Sequence, residues 1–188
     1  MIAVPKPRAT YADLIALPEN VVGEIIDGEL HVQPRPALHH ASVGSTLGML
    51  LAPLRFGGGG PGGWVILDEP ELHLGSGPDV LVPDLAGWRR ERMPEVPCTP
   101  AVTLAPDWIC EVLSPSTAKK DRTKKLRIYA REGISHAWLI DPDVKTLEVY
   151  RLEGARWLLV ATHTEEDRAI RAAPFEAVEL DLALLFSR

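Results

Sequence analysis

The chain contains only two cysteines, Cys98 and Cys110, too few for a disulfide framework and without the spacing of metal ligands. Their scarcity points to a reducing compartment, and a cytoplasmic location is expected. Long hydrophobic runs are missing as well. No segment reaches the roughly 20 apolar residues of a membrane helix. The prolines of MIAVPKPRATYADL interrupt the continuous apolar stretch that a signal peptide needs. Nor is there a surplus of positive charge: the formal net charge is -6, which does not advertise a nucleic-acid binder. What remains is a globular composition, 46% hydrophobic and 24% charged over 188 residues. That suits one domain spanning 1–188 with an apolar core that needs no disulfide support.

Local signals divide the chain into short elements. Thr10 can cap a helix over residues 11–17, closed by Pro18 and Asn20. Strands at 22–26 and 29–33 flank Asp27-Gly28, a two-residue hairpin signal. Val43, Leu47, Leu50, Leu51 and Leu54 recur at helical spacing and predict a helix over 39–54. The stretch FGGGGPGG at 56–63 reads as a flexible loop, and it lacks the Gly-Lys-Ser/Thr ending of a phosphate loop. Short strands are expected at 64–67, 71–74 and 80–82, whereas 87–105 gives no strong periodic signal. A central strand over 108–113 is followed by Ser114-Pro115, and Ser116 or Thr117 can cap a helix running to about Arg131, with Gly133 just past its end. A strand at 136–140, a hairpin from 146–150 and 157–161, and a closing strand with a helix or turn complete the order. The expected class is α/β in its α+β form: a mixed central sheet flanked by helices. The link between the strands at 108–113 and 136–140 is long enough for a parallel crossover.

Within the central strand, alternation places Ile109, Glu111 and Leu113 on one face and Trp108, Cys110 and Val112 on the other. Glu111 is the intruder. A buried carboxylate is costly unless a cation, a metal ion or hydrogen-bond donors compensate it. Asp84 follows the apolar run 80–82 and Pro83, and Asp79 also follows a proline. Either aspartate is ordinary alone, but with Glu111 one could bring two carboxylates to adjacent strand ends, where a hard divalent cation would find oxygen ligands. On the following helix Asp121 and Lys125 stand four residues apart and share a face. Lys125 can serve as an ion-pair partner or can point its ammonium at the carboxylates, and Lys124 lies about 100° round the helix. Residues 119–131 hold seven basic side chains against one acidic one, of which Lys119, Lys120 and Arg122 could meet a phosphate backbone. Solvated surface charge explains the same residues equally well. Neither His39-His40 nor Ser114 has the neighbours of a zinc site or a nucleophile elbow.

Four segments together resemble the Uma2-type (DUF820) endonucleases, a branch of the PD-(D/E)XK nuclease superfamily. They are GEIIDGELHV at 23–32, His40 with its helix, VPDLAGWRRERMP at 82–94, and EVLSPSTAKKDRTKKLRIYAREGISHAWLIDP at 111–142. The resemblance implies a restriction-endonuclease-like core and Mg²⁺-dependent cleavage of DNA phosphodiester bonds, with Mn²⁺ as a substitute. It implies Asp84 and Glu111 as acidic metal ligands and Glu24 as a further acid from the N-terminal region. His40 becomes a nearby polar residue. Leu113 stands where the superfamily's usual lysine would be, and Lys125 on the helix is the matching replacement.

Three functions compete on these residues. A metal-dependent endonuclease predicts Glu24, Asp84 and Glu111 clustered with Lys125 in reach. A nucleic-acid- or protein-binding module on a nuclease-like scaffold predicts basic residues in place without tight metal binding. A hydrolase of a small phosphorylated molecule predicts a narrow cleft closed by the glycine loop. By analogy with restriction-like folds, which often pair to cut two strands, a homodimer is expected; no membrane partner is.

Overall fold

The computed structural model describes residues 8–56, 60–77 and 79–187. Much of the expected N-terminal tail and part of the glycine-rich loop lie outside these residues. Thr10 caps α1 (Tyr11–Ile15) with a complete capping box to Asp13. The hairpin β1 (Val21–Ile26) and β2 (Glu29–Pro34) turns through Asp27 and Gly28, both at positive φ (56° and 79°), as a type I′ turn requires. The single helix expected over 39–54 is instead α2 (Leu38–Leu50) and α3 (Ala52–Phe56). Pro53 explains the break, because it lacks an N–H and its ring collides with the carbonyl four residues back.

Among the described residues eleven strands form two sheets. The first has the order β2-β1-β5-β4-β7, adding β4 (Glu71–Leu74), β5 (Asp79–Leu81) and the two-residue β7 (Ala101–Val102) to the hairpin. The second has the order β11-β10-β9-β8-β6-β3. It contains β3 (Trp64–Asp68), β6 (Leu85–Arg89), β8 (Trp108–Val112), β9 (His136–Asp141), β10 (Thr146–Glu153) and β11 (Arg156–Thr164). β8 and β9 are parallel, as the crossover length implies, and β4 pairs in parallel with β7, so both sheets are mixed. β6 has no sequence signal because it is buried on both faces and does not alternate. A Cβ at its Gly87 would meet the Trp108 ring at 3.1 Å and the Trp64 ring at 3.4 Å, so a larger residue there requires the tryptophans to shift by a few tenths of an ångström.

The second sheet is covered on both sides. Trp108, Cys110 and Val112 pack with Val43 and Leu47 of α2 and with Phe175, Leu182 and Leu185 of the C-terminal segment. Ile109 and Leu113 pack oppositely, with Ile26, Leu81, Ile128 and Tyr129. The alternation read from β8 is therefore the alternation between two cores. The helix after β8 runs through α4 (Ala118–Lys120), a π-helical turn (Asp121–Lys125) and α5 (Leu126–Arg131). It ends in a Schellman motif: Gly133 at φ 72° donates to Ala130, and Ile134 donates to Tyr129. α6 (Leu182–Leu185), capped by the Asp181 side chain, closes the chain.

Candidate active site

Glu111 sits near the C-terminal end of β8, 3% exposed, on the face turned toward the 118–131 helix. The Lys125 ammonium lies 2.9 Å from Oε1 and 3.0 Å from Oε2, and the Tyr129 hydroxyl donates to Oε1 at 2.6 Å. The same ammonium is 2.8 Å from Glu24 Oε1 and donates to the Val82 carbonyl at 3.2 Å. Glu24 points inward from β1. It accepts the Val82 N–H on Oε1 at 3.0 Å and Lys120 on Oε2 at 2.7 Å, and Lys120 also donates to Gln33 Oε1 at 2.9 Å.

The π-helical turn explains how two lysines reach one glutamate. In an α-helix, residues five apart are rotated about 140° from each other. Bonding from i to i+5 brings such residues toward the same side, and the turn begins directly after Lys120 and ends at Lys125. Lys120 could not be assigned to the site from helical spacing. Lys124 points elsewhere, toward Glu29 at the surface, so Lys125 is the lysine the fold turns inward. The phosphate-contact expectation for Lys120 and Arg122 changes too, because Lys120 is held by Glu24 and Arg122 by Glu148.

Asp84 sits where the chain leaves β5 of one sheet and enters β6 of the other. Pairing of Leu85 with Cys110 sets it beside the end of β8, and the Val112 N–H donates to its Oδ2 at 2.6 Å. His40, on the first turn of α2, brings Nε2 to 2.6 Å from the Val112 carbonyl and 3.4 Å from Asp84 Oδ1. A carbonyl can only accept, so Nε2 carries the proton. A cavity of about 340 Å³ joins these groups, with His40, Asp84, Glu111, Asp121 and Lys125 in its wall. Asp79 is not part of it. Its carboxylate accepts the Asp27 N–H at 2.7 Å and Arg131 at 2.8 Å, bracing the hairpin turn. Asp79→Ala is therefore expected to lower stability by about 1–3 kcal/mol in urea denaturation, with divalent-metal affinity at wild-type level; weakened metal affinity would place Asp79 in the site after all.

Four buried or nearly buried carboxylates, Glu24, Asp84, Glu111 and Asp121, face two ammonium groups, Lys120 and Lys125. Fully ionised, the group has two negative charges in excess. Burial pushes the Glu111 carboxyl well up, against the pull of Lys125 and with help from Asp121, Asp84 and Glu24. Burial likewise raises Asp121 and Asp84, opposed by Lys125 in one case and His40 in the other. Glu24 behaves oppositely: burial raises it, but Lys125 and Lys120 together hold it down to about 2. Lys125 suffers burial too, yet Glu111 and Glu24 keep its ammonium firmly protonated.

Among the described residues, no three His, Cys, Asp or Glu side chains are grouped so as to hold a metal ion. Ammonium groups and a backbone N–H engage both oxygens of Glu24, and Lys125 with the Tyr129 hydroxyl engages both oxygens of Glu111, so a cation at either carboxylate would share it with those donors. A closed cage is excluded by this donor set. An open site for Mg²⁺ is not, since that ion is commonly bound through one or two carboxylates and completes its shell with water and substrate phosphate. Asp84 and Glu111 line one cavity and are carboxylates of the kind such a site uses, and when ionised the acidic groups there outnumber the ammonium groups.

Helical spacing sets Asp121 beside Lys125 in the sequence itself; the residues it did not assign to the site are Tyr129, Lys120 and Gln33. Tyr129 and Asp121 lie four residues either side of Lys125, a signal that helical periodicity carries; Lys120 and Gln33 required the π-helical turn and the β1–β2 register.

Mixed sheets, a parallel β8–β9 pair and flanking helices define a restriction-endonuclease-like α+β fold. The chain belongs to the Uma2 family, whose model, described as "Putative restriction endonuclease", matches residues 9–183. Through that family it belongs to the PD-(D/E)XK-like nuclease superfamily. It is similar to a crystal structure from Anabaena variabilis described as "a putative nuclease belonging to DUF820", with 25% identity, a TM-score of 0.69, and coverage of 95% of this chain and 97% of that one. No curated protein matches.

Proposed function

We propose that this protein is a metal-dependent endonuclease that hydrolyses DNA phosphodiester bonds, with Asp84 and Glu111 as ligands of Mg²⁺ or Mn²⁺. The observation that carries this is the cavity whose wall holds Asp84, Glu111 and the Lys125 ammonium together. A bound divalent cation supplies Lewis acidity toward a phosphoryl oxygen and lowers the pKa of water that it holds. The chain's own groups set the geometry. Lys125 fixes the Glu111 carboxylate and contributes positive charge where the pentacoordinate phosphorane gathers negative charge. Glu24 holds Lys125 and Lys120 in place, acting as a positioning residue. His40 ties the Val112 carbonyl to Asp84, so that the two ligand-bearing strands keep their spacing.

The test is cleavage of single-stranded, duplex and branched DNA with Mg²⁺, with Mn²⁺ and with EDTA, by wild type and Glu111→Gln. Metal-dependent cutting should fall by about a hundredfold or more in the variant. Equal traces of cutting in both proteins would mark contamination and sink the proposal. DNA binding with no cutting in any metal would leave a scaffold that has stopped cutting.

A further inference from the structure

The wall of the cavity is acidic around Asp84, Glu111 and Asp121, which by itself repels a phosphodiester. Among the described residues two lysine or arginine side chains line it, Lys125 and Arg35. An ammonium has three N–H donors, and those of Lys125 go to Glu24, Glu111 and the Val82 carbonyl. Lys125 has no donor left for a substrate. Arg35 differs. It has five N–H donors, and its hydrogen bond within the described residues is one, from Nη2 to the Glu19 carbonyl at 3.0 Å, with no carboxylate opposite it.

Arg35 is also held in place. Pro34 and Pro36 flank it, all three residues line the cavity, and proline fixes its own φ while restricting the residue before it to extended backbone. Gln33 stands two residues earlier on the same side and lines the same cavity. Its Oε1 must face Lys120, because an ammonium can only donate, so its NH₂ points away from Lys120 and has no protein partner among the described residues.

We infer that Gln33 and Arg35, at the end of β2, form the substrate-phosphate rim of this cavity, Arg35 binding a backbone phosphate of DNA and Gln33 donating from its amide. This rests on the endonuclease function proposed above and adds to it the residues that bring an anionic strand to an acidic wall. Arg35 supplies the charge, and its planar fork can meet two phosphate oxygens together. The Pro34-Arg35-Pro36 backbone reduces the entropy lost when it does so.

Binding, not cutting, tests the rim. Fluorescence anisotropy of a labelled DNA duplex in Ca²⁺ is measured across a salt series for wild type, Arg35→Gln, Arg35→Lys, Gln33→Leu and Arg151→Gln. Arg151 is a control, an exposed arginine on β10 that pairs with Glu153. Arg35→Gln should bind about tenfold more weakly and lose about one unit of salt slope. Arg35→Lys should keep the slope while binding more weakly, and Gln33→Leu should weaken binding at an unchanged slope. Equal slopes and affinities for wild type and Arg35→Gln would overturn the rim and leave the endonuclease proposal standing. An equal loss in Arg151→Gln would also overturn it, as general charge attraction. No binding by wild type, with cutting absent as well, would remove both.

Discussion

Replacing Lys125 by methionine is expected to lower unfolding free energy by about 3–5 kcal/mol, the cost of leaving buried charges without their partner. Methionine keeps most of the stem's packing, so the loss reports on the charge. Two carboxylates are affected unequally. Glu24 retains Lys120 and the Val82 N–H. Glu111 retains the Tyr129 hydroxyl alone and should take up a proton. The pair is therefore coupled: Lys125→Met with Glu111→Gln should lose at least about 1 kcal/mol less than the two single losses added together. Urea denaturation of the four proteins at neutral pH measures both quantities. A loss below about 1 kcal/mol for Lys125→Met would mean that solvent reaches the ammonium and that the arrangement is not a buried one.

Glu24→Gln should flatten the acid limb of stability. Its carboxyl is held at about 2 in the fold against an ordinary value of 4.5, burial being outweighed by Lys125 and Lys120. A folded-state pKa below the unfolded value stabilises above the unfolded pKa and is lost as pH falls through the folded one. The contribution is thus complete above about pH 4.5 and gone near pH 2, and it amounts to about 3 kcal/mol. Glu111, Asp121 and Asp84 carry the opposite sign, since burial raises each of them, and they favour the fold more at low pH. Comparing wild type with Glu24→Gln between pH 5 and pH 2.5 isolates the Glu24 part. Parallel curves for the two proteins would show that the lysines do not hold the carboxyl down.

Local chemistry makes most of the fold legible in the sequence. Asp27-Gly28 announces the hairpin because both residues accept positive φ. Gly133 announces the helix end for the same reason. Trp108 to Leu113 announces a two-sided strand, and the two cores divide its residues by parity. β6 stays hidden because a strand buried on both faces has no period-two signal. α2 and α3 read as one helix because Pro53 breaks a pattern whose apolar spacing continues across it.

The candidate site divides in the same way. Glu111 stands out by itself, because a carboxylate in an apolar strand demands a partner wherever the chain folds. Leu113 directs the search for a lysine to the helix. The family resemblance favours Asp84 over Asp79, but why the two differ, and that Lys120 stands beside Lys125, depends on tertiary structure. Two aspartates after proline look alike in sequence, but one sits where the chain crosses between sheets beside Val112 and the other braces a turn with Arg131. The physical reason is the range of the determinants: hairpin turns, caps and strand parity are set within a few residues. Which charges meet in a buried cavity is set by strand register and a π-helical turn, acting across separations of up to about a hundred residues.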